Sequence, residues 1–93
     1  ANNWNVVQYA VLVHMMAQIA GLEAGELVHV IADAHIYDRH VPIIEELLRR
    51  TPKTAPVFHM DPTVSDFYQF TRDSFSLEGY EPHAFETKIP VAI

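Results

Sequence analysis

With 93 residues, the chain has room for one domain or a piece of one, near the size at which a single hydrophobic core becomes marginal. Hydrophobic residues at 49% and charged residues at 19% exclude an intrinsically disordered chain. The net charge of -6 includes only one adjacent basic pair, Arg49-Arg50. That balance disfavours nucleic acid and anionic membrane as partners, and a phosphate site would need cations from outside these residues. There are no cysteines, which removes disulfides, thiolate metal sites and a cysteine nucleophile from the chemistry of this stretch. The sequence opens on Ala1 rather than methionine, so it is expected to be trimmed from something longer.

The first predicted element is a helix over residues 6–20. Val6, Tyr9, Ala10, Val13, Met16, Ala17 and Ala20 recur at three- and four-residue spacings, and Val7, Val11, Leu12 and Met15 make much of the remaining surface apolar. Such a helix is expected to be buried. Gln8, His14 and Gln18 interrupt the run, which is too short and polar for a membrane span. Asn3 or Asn5 is placed to cap the start, and Gly21 to end it.

Residues 27–37 read as a long strand. Val28, Val30, Ala32, Ala34 and Ile36 share one face; His29, Ile31, Asp33, His35 and Tyr37 share the other. A strand divided in this way covers a core on one side and lines a cavity on the other. Residues 40–50 read as a second helix with an apolar stripe of Val41, Ile44, Leu47 and Leu48. Pro42 suits its first turn, Glu45–Arg49 and Glu46–Arg50 are i,i+4 pairs, and Thr51-Pro52 ends it. Residues 57–60 are a short strand, residues 62–71 a turn with a short helical stretch, and residues 75–80 another strand. Residues 88–93 are extended and apolar.

Two features invite chemistry. His29, Asp33 and His35, with nearby His40, are metal-ligating types, but neighbours two apart on a strand stand ~7 Å apart and match no standard zinc spacing. The alternatives are histidines hydrogen-bonded within a partly buried sheet, or a polar face turned to a ligand. The tail Ile89-Pro90-Val91-Ala92-Ile93 is apolar where termini are usually polar. It is either a terminal strand packed on the sheet or a segment that folds over a site and excludes water.

The blocks Tyr9-Ala10-Val11-Leu12-Val13-His14-Met15-Met16-Ala17-Gln18, Asp33-Ala34-His35-Ile36-Tyr37, Leu77-Glu78-Gly79-Tyr80-Glu81-Pro82-His83 and Pro90-Val91-Ala92-Ile93 together resemble the C-terminal third of thymidylate synthase. The resemblance spans almost the whole chain. It implies an α/β (α+β) fold shared with deoxycytidylate (dCMP) hydroxymethylase, a mixed sheet with packed helices, of which residues 1–93 form the C-terminal portion. It also implies a cytoplasmic homodimer and the reductive methylation of deoxyuridylate (dUMP) to thymidylate (dTMP); the alternatives are a dCMP hydroxymethylase-like enzyme and a non-catalytic domain that binds a nucleotide or a partner protein. Methylenetetrahydrofolate is the cosubstrate and no metal takes part. In that chemistry a cysteine adds to the uracil ring and makes the neighbouring carbon nucleophilic.

Residue by residue, the resemblance implies dUMP contacts at Asn5, His35, Ile36 and Tyr37. Asn5 matches the pyrimidine reader: an amide donates to O4 of uracil and accepts from N3–H, whereas dCMP hydroxymethylases carry aspartate there. His35 and Tyr37 match the pair that holds the 3′-hydroxyl of the deoxyribose. Asp33 is expected to orient its neighbours. Ala92 and Ile93 match the closing tail and Lys88 a position near the folate's glutamate tail, with closure excluding water.

The Asn2-Asn3-Trp4 lead-in, Gln8, Ile31-Ala32 and Arg39 depart from the common pattern and point to a divergent branch. The nucleophilic cysteine, the phosphate-binding arginines and the acidic residues of the family all precede the region matched here. No catalytic residue is therefore expected in these 93 residues, and alone they are expected to be inactive.

Overall fold

The computed structural model describes residues 2–84, 88 and 89. The elements are helix α1 (Asn2–Ala20), a 3-10 turn (Asp38–His40) running into helix α2 (Val41–Leu48), strand β1 (Val57–Met60), two further 3-10 turns (Phe67–Gln69 and Arg72–Ser74) and strand β2 (Phe75–Glu78). β1 and β2 pair in a two-stranded antiparallel sheet, and beyond their ends the Asp61 N–H donates to the Ser74 carbonyl at 2.8 Å. This is the mixed helix-and-sheet class that the sequence predicts. No helix among the described residues is long and apolar enough to cross a membrane.

The described residues fall into two compact units. The first takes in the segment up to Val30 together with Phe58–Ser76. Here α1 lies against the 3-10 turn Phe67–Gln69. An aromatic cluster is built from adjacent turns of chain. Phe75 stacks on both Phe58 (6.1 Å between centroids) and Phe70 (5.5 Å), and Phe70 meets Phe67 edge to face. The His14 ring reaches Phe58 from α1 at 5.1 Å. Local polar bonds shape the loop that carries these rings. Asp66 accepts from the Tyr68 N–H, and Thr71 and Ser74 form a reciprocal capping box.

α1 begins four residues earlier than its apolar periodicity indicates, so Asn3 and Asn5 lie inside it and neither caps its start. Asparagine lowers helix propensity by only about 0.6 kcal/mol, which the long apolar run downstream offsets. Its end matches the expectation. Gly21 takes φ +69°, the Leu22 N–H donates to Ala17 O at 2.8 Å and the Gly21 N–H to Gln18 O at 3.2 Å, the Schellman pattern. The burial expected all round α1 is not found. None of its residues is buried, and Trp4 is 82% exposed, because the aromatic cluster and the loop after β1 cover only part of its surface.

The second unit takes in Ile31–Val57 and the segment from Leu77 onward. Pro42 sits in the first turn of α2 as expected. The stripe is rotated from the predicted one: Ile43, absent from it, is the buried residue at 8% exposure, while Leu48 is 78% exposed. α2 ends at Leu48, so no following turn of helix covers that side chain. Glu46 and Arg50 form the predicted i,i+4 pair at 3.2 Å. The same Arg50 guanidinium donates to Ala84 O at 3.1 Å, and His83 Nε2 donates to Thr51 O at 3.0 Å.

The predicted strand over residues 27–37 is not formed. Among the described residues this stretch has no ladder partner, and it runs as irregular chain with a bend at Ala32-Asp33. Alternation marks a surface ready to pair, but a strand exists only where a neighbour accepts its N–H and C=O groups. The extended tail predicted for residues 88–93 lies mostly outside the described residues.

Candidate functional site

The segment that leads into α2 positions the His35 and Tyr37 side chains. Tyr37 has extended backbone angles, φ −67° and ψ 142°, and immediately precedes the 3-10 turn Asp38–His40. The His40 N–H donates to Tyr37 O at 2.8 Å and closes that turn. Two residues before Tyr37, His35 projects to the same side, and the two rings meet edge to face, centroids 5.5 Å apart at 71°.

The tautomer of His35 follows from its neighbour. Nδ1 lies 2.9 Å from the Asp33 carbonyl oxygen and 3.5 Å from Asp33 Oδ1. Both oxygens accept only, so Nδ1 carries a proton and the neutral ring offers Nε2 as an acceptor. The Asp33 carbonyl oxygen thus orients the His35 ring through Nδ1. Both His35 and Tyr37 are exposed, with Tyr37 at 51%. The side with His35 Nε2 and the Tyr37 phenol combines one acceptor with one group that donates or accepts.

The remaining predicted residues are placed as follows. Ile36, between the pair, is exposed. Asn5 is exposed near the start of α1, in the first compact unit. Lys88 is exposed. Ala92 and Ile93 lie outside the described residues. His29, one of the histidines weighed as a metal ligand, contacts Asn2 Oδ1 at 3.3 Å. Among the described residues, no group of three or more histidine, aspartate or glutamate side chains is gathered to hold a metal.

The structure adds one ring to the pair. His40 packs edge to face on Tyr37 at 5.4 Å and 79°, so Tyr37 contacts an imidazole from each direction along the chain. The signal in the sequence is the i,i+3 spacing of Tyr37 and His40, which a 3-10 turn brings into register.

The thymidylate synthase family model matches residues 1–93. The chain is also similar to the solved structure of thermostable thymidylate synthase A from Bacillus subtilis, with 40% identity and a TM-score of 0.93. That match covers 100% of this chain and 33% of the other, so the chain spans about a third of the length of the structure it resembles. By family model, sequence identity and fold, the chain belongs to the thymidylate synthase family.

Proposed function

We propose that these residues serve an enzyme that reductively methylates dUMP to dTMP, with methylenetetrahydrofolate as cosubstrate, and that they supply substrate contacts and the closing tail rather than the nucleophile. The observation that carries the reading is the His35–Tyr37 pair, edge to face, with His35 Nδ1 against the Asp33 carbonyl oxygen. A sugar hydroxyl has one proton to give and lone pairs to share. His35 Nε2 accepts that proton while the Tyr37 O–H donates to the same oxygen. Two side chains on one hydroxyl fix the sugar's position and register, which in turn sets where the pyrimidine ring lies.

Asn5 reads that ring through O4 and N3–H, and Ile36 flanks the sugar contacts. Lys88 attracts the folate's glutamate tail, and Ala92 and Ile93 close over the cosubstrate and exclude water. Methylenetetrahydrofolate supplies the carbon and the hydride. The enzyme works as a cytoplasmic homodimer, and the 93 residues alone do not turn over.

The test uses the full-length product of the reading frame that encodes these residues, given dUMP and methylenetetrahydrofolate and followed by dihydrofolate absorbance. Turnover by the full-length protein and none by the 93 residues is the expected result. Asn5→Asp should lose the preference for uracil over cytosine, because a carboxylate cannot donate to O4. Full-length protein that is folded and dimeric but makes no dihydrofolate would sink the reading.

A further inference from the structure

We propose that His40 is a positioning residue for the deoxyribose grip: it holds the Tyr37 ring in the orientation that lets its phenol meet the 3′-hydroxyl, without itself touching the sugar. The inference rests on the sugar-binding reading of His35 and Tyr37 given above. Tyr37 is about half exposed, and a half-exposed tyrosine on irregular chain has three staggered χ1 wells open to it. The proposed grip requires the well that directs the phenol to the oxygen that His35 Nε2 addresses. Two contacts select among the wells: the His35 ring at 5.5 Å and the His40 ring at 5.4 Å, both edge to face.

The two imidazoles are not equivalent supports. His35 stands on irregular, exposed chain and is itself a ligand contact in this reading. His40 is less exposed, closes the 3-10 turn through its N–H to Tyr37 O, and sits at the cap position of α2. It is therefore tied to the helix that buries Ile43, and it transmits that anchoring to Tyr37. Ring edges carry partial positive charge and ring faces partial negative charge, so the perpendicular arrangement resists rotation of either partner.

The experiment compares dUMP with 2′,3′-dideoxyuridylate, which lacks the 3′-hydroxyl, on the full-length enzyme. Dissociation constants come from calorimetry, and KM and kcat from dihydrofolate absorbance. For His40→Ala the expected result is a five- to tenfold weaker binding of dUMP and a matching rise in KM, a smaller change in kcat, and under twofold change for the dideoxy analogue. His40→Phe, which keeps a ring edge, should restore most of the difference. Equal losses for both nucleotides, or no loss for either, overturn the proposal. If His40→Ala does not fold, the same contrast between His40→Phe and His40→Leu decides it. Tyr37→Phe is run in parallel. If it leaves the ratio between the two nucleotides unchanged, the sugar-binding reading itself falls and this proposal with it. If Tyr37→Phe collapses the ratio and His40→Ala does not, the grip stands and His40 has no part in it.

Discussion

His35 and Tyr37 meet edge to face at 5.5 Å on a stretch of chain that, among the described residues, belongs to no strand ladder. Their juxtaposition is therefore held by local contacts: the Asp33 carbonyl on Nδ1, the two rings on each other, and the His40 ring on Tyr37. In the proposed function both side chains bond one hydroxyl, so their losses should not add. Tyr37→Phe and His35→Ala are each expected to weaken dUMP binding about tenfold, equivalent to ~1.4 kcal/mol. The double variant should fall well short of a hundredfold, because a hydroxyl that has lost one partner is poorly held by the other. Calorimetric titration of the four proteins measures this, and strict additivity would place the two residues on different atoms of the nucleotide.

Gln18 yields a second prediction. Its Nε2 donates to Asp61 O at 2.9 Å and to Val64 O at 2.8 Å, tying the loop after β1 to α1. Gln18→Leu keeps the bulk and removes both bonds, and should cost about 1–2 kcal/mol, since the Val64 bond is partly buried. Gln18→Glu should cost at least as much, because a carboxylate faces two carbonyl oxygens with nothing to donate. Denaturant titration of the full-length protein reads both. A neutral Gln18→Glu would mean that the loop holds its place without the clamp.

How much of the molecule is legible in its sequence varies with how local the cause is. The Gly21 stop, the Pro42 start, the Glu46–Arg50 pair and strand β1 depend on residues close in sequence and match expectation, while β2 starts as expected at Phe75 but ends at Glu78, short of residue 80. The strand expected over residues 27–37 rests on alternation, which describes the two faces of a segment and says nothing of whether a neighbour is present. The stripe of α2 is ambiguous because Val41, Ile43, Ile44, Leu47 and Leu48 offer several apolar phases within eight residues, and only tertiary contact chooses Ile43. His35 and Tyr37 are marked by their shared face and the family resemblance. The third ring, His40, reads in the sequence as a metal-ligating type, and its contact with Tyr37 emerges from the 3-10 turn.

The rotated stripe carries a stability prediction. Ile43 is the one buried hydrophobic residue among those described, so Ile43→Ala should destabilise the protein by about 2–4 kcal/mol and Ile43→Val by about 1 kcal/mol. Leu48→Ala, at the exposed end of the same helix, should fall within about 0.5 kcal/mol of the parent. A larger loss at Leu48 than at Ile43, measured by denaturant titration, would return the stripe to the position expected from the sequence. It would also indicate that Leu48 is covered by residues beyond those described.

Asp61 should contribute to the acid sensitivity of the loop after β1. The Thr63 Oγ1–H donates to Asp61 Oδ1 at 2.7 Å and the Thr63 N–H to the same atom at 2.9 Å, and these two bonds, the hydroxyl first, hold the carboxyl below the usual carboxylate range. Slight desolvation opposes them without reversing the direction. Folding thus favours the ionised form. The resulting stabilisation is complete above the carboxyl's pKa in the unfolded chain and is lost as pH falls through its lower folded value. Thr63→Ala removes the larger of the two bonds and leaves the backbone one. The carboxyl should then titrate closer to its ordinary value, by NMR of the Asp61 side chain. The stability difference between the parent and the Thr63→Ala variant should be constant near neutrality and shrink in acid. A difference that grows as pH falls would place the charge-dependent contact elsewhere in the loop.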